Sequence, residues 1–136
     1  ADNAIFTLAY AKLGTSPDGS SSWTLPRLVG LRKAMEIALL SDVLDAAEAL
    51  RLGLVNRVVS AADLAAETEK LAQRLANGPT FAYGRMKALL RGSLDHSLHD
   101  QLALEAKGFD ACIGTADFAE GVNAFLAKRP PKFSGS

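Results

Sequence analysis

The sequence predicts a mostly α-helical chain with one or two short strands, and three observations carry that expectation. Apolar residues recur at helical spacing in five or six segments. Residues suited to starting and stopping helices stand between those segments. Only two short runs, 4–10 and 54–59, combine apolar with β-branched side chains. A chain of 136 residues is one domain's worth and can bury a core, and 49% apolar with 22% charged residues is ordinary for a globular domain.

The elements follow in order. Ala4–Ile5–Phe6–Thr7–Leu8–Ala9–Tyr10 reads as a buried strand, although seven residues leave strand and helix open by period alone. Leu25 to Leu40 reads as helix, with Pro26 tolerated in its first turn and Gly30 as a break or joint. Asp45 is the expected N-cap of a helix from Ala46 to Leu52, with Glu48 as reciprocal partner in a capping box and Gly53 at the left-handed C′ position. Leu54 to Val59 follows as a short strand.

Ser60 begins the next helix, which carries Leu64, Leu71 and Leu75 along one side and stops at Asn77–Gly78–Pro79. Thr80 to Arg91 and Ser97 to Ile113 are two more helices, the second with Leu98, Leu102, Phe109 and Ile113 on one stripe. Asp117 and Glu120 suggest another capping box, ahead of a last helix striped with Phe118, Val122, Phe125 and Leu126 and ended by Pro130 and Pro131.

Before the second of these segments, Pro17–Asp18–Gly19 forms a stiff turn. Pro17 presets φ at one position and Gly19 accepts a positive φ, so the Asp18 carboxylate is held at an apex. The residues that follow can present backbone N–H groups at a helix start. Such turns are also common surface features, so the turn alone leaves catalysis and scaffolding open.

Several function classes are disfavoured. Fifteen basic and fifteen acidic residues give no net charge to attract nucleic acid or an anionic membrane. The single Cys112 forms no internal disulfide framework and fits a reducing compartment. No apolar run approaches the roughly 18–20 residues needed to span a bilayer, and Ala1–Asp2–Asn3 lacks a signal-peptide layout. A cytoplasmic location is expected, with an organellar one left open. Ser20–Ser21–Ser22 has no G-x-S-x-G frame, which argues against a hydrolase. His96 and His99 lie three apart without a Cys or carboxylate cluster and read as exposed helix residues, so no metal site is expected.

The stretch LG-x-x-PDG-x-x-x-W-x-LPR-x-VG, from Leu13 to Gly30, resembles a segment midway along enoyl-CoA hydratase/isomerase (crotonase) family proteins. The likeness continues through Ala34–Met35–Glu36, Ala46–Ala47–Glu48–Ala49 and Gly53–Leu54–Val55–Asn56. It closes on Asp117-x-x-Glu120–Gly121-x-x-Ala124–Phe125-x-x-Lys128–Arg129–Pro130. The resemblance implies an α/β crotonase (ClpP/crotonase-like) fold, of which this chain would be the C-terminal half. Residues 1–59 would end the spiral core and carry the acidic turn, 60–136 would form the C-terminal helical, trimerising region, and the N-terminal half of the family fold would be missing.

The resemblance also implies a chemistry. Family members stabilise an enolate on a CoA thioester with two backbone N–H donors, and those donors lie in motifs upstream of anything in this sequence. This piece alone is therefore expected to be inactive. Isomerases of the family place an acid where Asp18 stands, and one carboxylate suffices to remove a proton at C2 and return one at C4. Such a base needs an apolar, dry pocket, to which Leu13, Trp23 and Leu25 are expected to contribute. Dehalogenase members use an aspartate at this place as a nucleophile. Family hydratases carry a glutamate where this sequence has Tyr10, which disfavours hydration by a glutamate pair.

Substrate contacts are expected from Tyr10 and Trp23 beside the acyl group, and from Phe109, Phe125 and Lys128 at a neighbouring copy's CoA. Core packing is the commoner reading for Tyr10 and Trp23 and at least an equal one for Phe109 and Phe125, and a helix terminus is the alternative for Lys128. The favoured reading is enoyl-CoA isomerisation by Asp18, with an acyl-CoA thioester as substrate, no separate cofactor, and a homotrimer or hexamer in the full-length form. Enoyl-CoA hydration and a non-catalytic acyl-CoA-binding or assembly module are the alternatives.

Overall fold

The computed structural model describes all 136 residues, which form two units, Ala1–Glu67 and Thr68–Ser136. As the sequence suggests, the chain is mostly helical with two short strands.

In the first unit the expected strand at 4–10 contracts to β1, Ile5–Phe6, because its antiparallel partner β2 is only Leu44–Asp45; Ile5 faces Asp45 and Phe6 faces Leu44. The strand expected at 54–59 does not form. That stretch finds no ladder partner, and its one bond to the start of the chain runs from the Asp2 N–H to the Val59 carbonyl at 2.8 Å.

The long helix expected from Leu25 is two helices, α1 (Ser21–Val29) and α2 (Leu31–Leu40), jointed at Gly30 as the sequence suggests. Helix α1 starts earlier than expected, so Pro26 lies in its interior and not in its first turn. The acidic turn itself nucleates it: Ser21 N–H donates to the Asp18 carbonyl (3.0 Å), and Trp23 and Thr24 N–H donate to the Ser20 carbonyl (3.0 and 2.8 Å). Gly30 holds φ 78° and ψ 155°, a conformation open to glycine because it has no Cβ.

Helix α3 (Ala46–Arg51) is capped by Asp45, whose carboxylate accepts the Glu48 N–H at 2.7 Å, and Gly53 takes a left-handed φ of 75° just beyond it. The Glu48 side chain does not complete the capping box. It pairs with Arg51 through two short hydrogen bonds, chiefly because of which its carboxyl lies below the usual range. The core of this unit is small: Ala34, Ile37, Ala46 and Ala49 are buried, and Ser41, at the left-handed end of α2, is fully buried with an unpartnered hydroxyl.

Ser60 caps a turn and not a full helix start. Its hydroxyl accepts the Asp63 N–H, and α4 begins only at Leu64 and runs to Ala76. In the second unit, α5 (Thr80–Gly92) packs on α6 (Leu98–Ile113), and α6 meets α7 (Ala116–Leu126) where Phe109 and Phe118 stand edge to face at 6.4 Å. Ser97 and Thr115 cap α6 and α7 by accepting the N–H groups of Asp100 and Phe118.

Asp117 is therefore not the cap of the last helix, and Glu120 is not its reciprocal partner. Thr115, two residues earlier, holds that place, and both carboxylates are turned to the tail that follows α7. Asp117 is buried and accepts the N–H groups of Ser134 (2.7 Å) and Gly135 (2.9 Å), together with the Ser134 hydroxyl. Glu120 takes both guanidinium nitrogens of Arg129 (2.6 and 2.9 Å) and the Lys132 N–H.

Candidate active site

The chain approaches the acidic turn through a 3-10 turn, Ala11–Leu13, which ends on left-handed Gly14 (φ 68°). The Tyr10 carbonyl closes this reversal by accepting the N–H groups of Leu13 (3.0 Å) and Thr15 (3.1 Å). The reversal returns the chain past Tyr10, and two consecutive left-handed residues, Gly19 and Ser20, then turn it into α1. As a result the Tyr10 hydroxyl donates to Asp18 Oδ1 at 2.6 Å. The Asp18 backbone is tied down as well, since its carbonyl accepts both the N–H and the hydroxyl of Ser21. Asp18 Oδ2 accepts no hydrogen bond within the chain.

Asp18 itself is exposed, and Leu13, at 76% exposure, does not wall it in. Within this chain the dry enclosure expected from Leu13, Trp23 and Leu25 is not formed, because Leu13 points away into solvent while Leu25 faces a different hollow. That hollow, about 150 Å³, lies between α1 and α2 and is lined by Leu8, Pro17, Leu25, Ala34 and Met35 among others. Trp23 is half exposed, with the Arg27 guanidinium 3.7 Å above its ring and donating to its carbonyl.

Phe109, Phe125 and Lys128 all lie in the second unit. Phe109 lines an apolar hollow of about 620 Å³ together with Leu89, Leu102 and Phe118. Phe125, 82% exposed, stands at another of about 380 Å³ with Phe81, Phe118, Val122 and Phe133. Lys128 is exposed and left-handed (φ 52°) just beyond α7, its N–H donating to the Phe125 carbonyl. Phe118 borders both hollows, whereas Lys128 borders neither. His96 Nδ1 lies 3.1 Å from Gln101 Oε1, and no three His, Cys, Asp or Glu side chains gather to hold a metal ion. No helix is long and apolar enough to cross a membrane.

The bond from Tyr10 to Asp18 joins two residues singled out separately in the sequence. Their pairing was hidden there because it depends on the Gly14 reversal. The tail contacts of Asp117 and Glu120 were missed because the same D-x-x-E spacing also describes a capping box.

A family description fits these elements: all of residues 1–136 match the model of enoyl-CoA hydratase/isomerase. The chain belongs to the enoyl-CoA hydratase/isomerase family. It is 41% identical over 135 residues to a probable enoyl-CoA hydratase of Rhodobacter capsulatus, covering 99% of this chain and 52% of that one. It is likewise 41% identical over 136 residues to 1,2-epoxyphenylacetyl-CoA isomerase of Escherichia coli, with the same coverages. A crystal structure of an enoyl-CoA hydratase subunit from Geobacillus kaustophilus superposes with a TM-score of 0.95 at 35% identity, over 100% of this chain and 53% of that one. The fold is thus the crotonase fold, and the chain spans about half the length of the curated relatives it matches.

Proposed function

We propose that the protein isomerises the double bond of an enoyl-CoA thioester, with Asp18 as its acid/base. The observation that carries this reading is Asp18 itself, its carboxylate bonded by the Tyr10 hydroxyl and its backbone carbonyl by Ser21, with one carboxylate oxygen left uncommitted. Asp18 takes a proton from C2 of a β,γ-unsaturated thioester, the electrons move into the thioester enolate, and the same carboxyl returns a proton at C4 as the conjugated double bond forms. The CoA arrives as part of the substrate, so the reaction needs no separate cofactor. The enolate oxygen calls for backbone N–H donors aimed at its developing charge, and none of the residues named above is proposed for that role.

Relatives bear both hydratase and isomerase names. Hydration calls for a second group to handle the added water, and Tyr10, whose hydroxyl is already spent on Asp18, offers no second carboxylate. The full-length protein acts as a homotrimer or hexamer in the cytoplasm. Supporting that assembly, Leu98, Phe125 and Leu126 stay more than two-thirds exposed in this chain (76%, 82% and 73%), apolar surface that a neighbouring copy would cover. Phe109, Phe125 and Lys128 are the side chains proposed to meet a neighbouring copy's CoA, and Trp23 to border the acyl group.

The test supplies the full-length protein with β,γ-unsaturated hexenoyl-CoA and follows the ultraviolet absorption of the conjugated thioester. A rise in absorption is the expected result. Loss of absorption from the α,β-unsaturated isomer in its place would mark a hydratase, and tight thioester binding with neither change would mark a binding or assembly module.

A further inference from the structure

Resting on the reading of Asp18 as the acid/base, we infer that Tyr10 is a positioning residue that commits one carboxylate oxygen of Asp18 and leaves the other to carry the proton. An aspartate on an exposed turn can rotate about its side-chain bonds and present either oxygen. Here the Tyr10 hydroxyl, a donor at 2.6 Å from Oδ1, removes that choice. The length is that of an O–H···O⁻ bond to a charged acceptor, the stronger kind.

Tyr10 can act this way because it is itself fixed. It is partly buried, its backbone is helical at φ −56° and ψ −45°, and its carbonyl accepts two N–H groups from the Leu13–Thr15 reversal. An aromatic ring with two rotatable bonds loses little freedom in holding one bond. The Asp18 carbonyl is pinned at the same time by Ser21, so the carboxylate is anchored at its backbone and at one oxygen.

Oδ2 is then the single oxygen that takes the C2 proton and gives it back at C4. In the half-reaction the C2–H bond breaks as an O–H bond forms on Oδ2 and charge moves to the thioester oxygen. In the second half that O–H bond breaks as C4–H forms, and Asp18 ends as the carboxylate it began as. One oxygen serving both carbons confines the transfer to one face of the substrate and favours return of the abstracted proton over exchange with water.

The experiment is Tyr10→Phe in the full-length protein, assayed with β,γ-unsaturated hexenoyl-CoA deuterated at C2. A fall in kcat of about tenfold to a hundredfold with KM unchanged, and a smaller share of deuterium recovered at C4, is the expected result. A kcat within about twofold of the parent, a loss carried by KM, or undiminished deuterium recovery would overturn the positioning role. Should Tyr10→Phe not fold, a ring-fluorinated tyrosine at position 10 keeps the ring and hydroxyl but alters donor strength. It should move kcat at constant KM, and an unmoved kcat overturns the inference. Asp18→Asn run alongside keeps the two ideas apart. An inactive Asp18→Asn with an unaffected Tyr10→Phe removes only the role of Tyr10, whereas an active Asp18→Asn removes the parent reading as well.

Discussion

The Tyr10 hydroxyl and Asp18 Oδ1, on residues eight positions apart, are joined by a hydrogen bond of 2.6 Å. That bond exists because Gly14 reverses the chain between them and because Gly19 and Ser20 turn it again into α1. A side chain read from the sequence as a neighbour of the acyl group is therefore also the partner of the proposed acid.

The joint between α1 and α2 sets where the turn sits on its scaffold. At Gly30 a Cβ would meet no atom within 4 Å, so the demand there is conformational and not steric. Gly30→Ala should destabilise the protein by about 1–3 kcal/mol through backbone strain alone. Urea unfolding of the variant beside the parent measures it, and an unchanged midpoint would remove glycine's special role at this joint.

The tail after α7 is held by Asp117, whose carboxyl lies below its ordinary range chiefly because it accepts the Ser134 N–H, with burial opposing the shift and Gly135 adding to it. Asp117→Asn replaces one acceptor oxygen with a donor facing another donor. Amide exchange at Ser134 and Gly135 should then quicken by about tenfold or more, while α6 stays protected. Hydrogen exchange read by mass spectrometry or NMR checks both halves of that expectation.

Glu120 adds a pH dependence. The Arg129 hydrogen bonds, followed by the Lys132 N–H, lower its pKa from 4.5 to about 2. Because the unfolded chain binds the proton more readily, this stabilisation is complete above about pH 4.5 and is lost as pH falls through about 2. Glu120→Gln should flatten the decline in stability across that window and leave other regions of the pH profile alone. Thermal midpoints of parent and variant from pH 5 downward measure the difference.

Much of the helical layout was legible in the sequence because its signals are local. Asp45 and Gly53 bracket α3, and Gly30 joints α1 and α2, as their residue types suggest. What the sequence hid depends on partners distant in the chain. Leu54 to Val59 has strand composition but meets no ladder, and Ile5–Phe6 extends only as far as Leu44–Asp45 allows. Asp117 and Glu120 fit a capping box until the tail supplies better donors and Thr115 supplies a better cap. At the candidate site, the turn of Asp18 was legible from Pro17 and Gly19. Its bond to Tyr10 and the exposure of Leu13 were not, since both follow from how the Gly14 reversal directs side chains.

Proton transfer by Asp18 depends on the basicity of its carboxylate, which a single substitution removes. Asp18→Asn in the full-length protein keeps the size of the side chain and removes its basicity. Conversion of β,γ-unsaturated hexenoyl-CoA should fall by about a hundredfold to ten-thousandfold in kcat, with thioester binding retained. Turnover within about twofold of the parent would contradict the account and leave Asp18 as a turn residue that only starts α1.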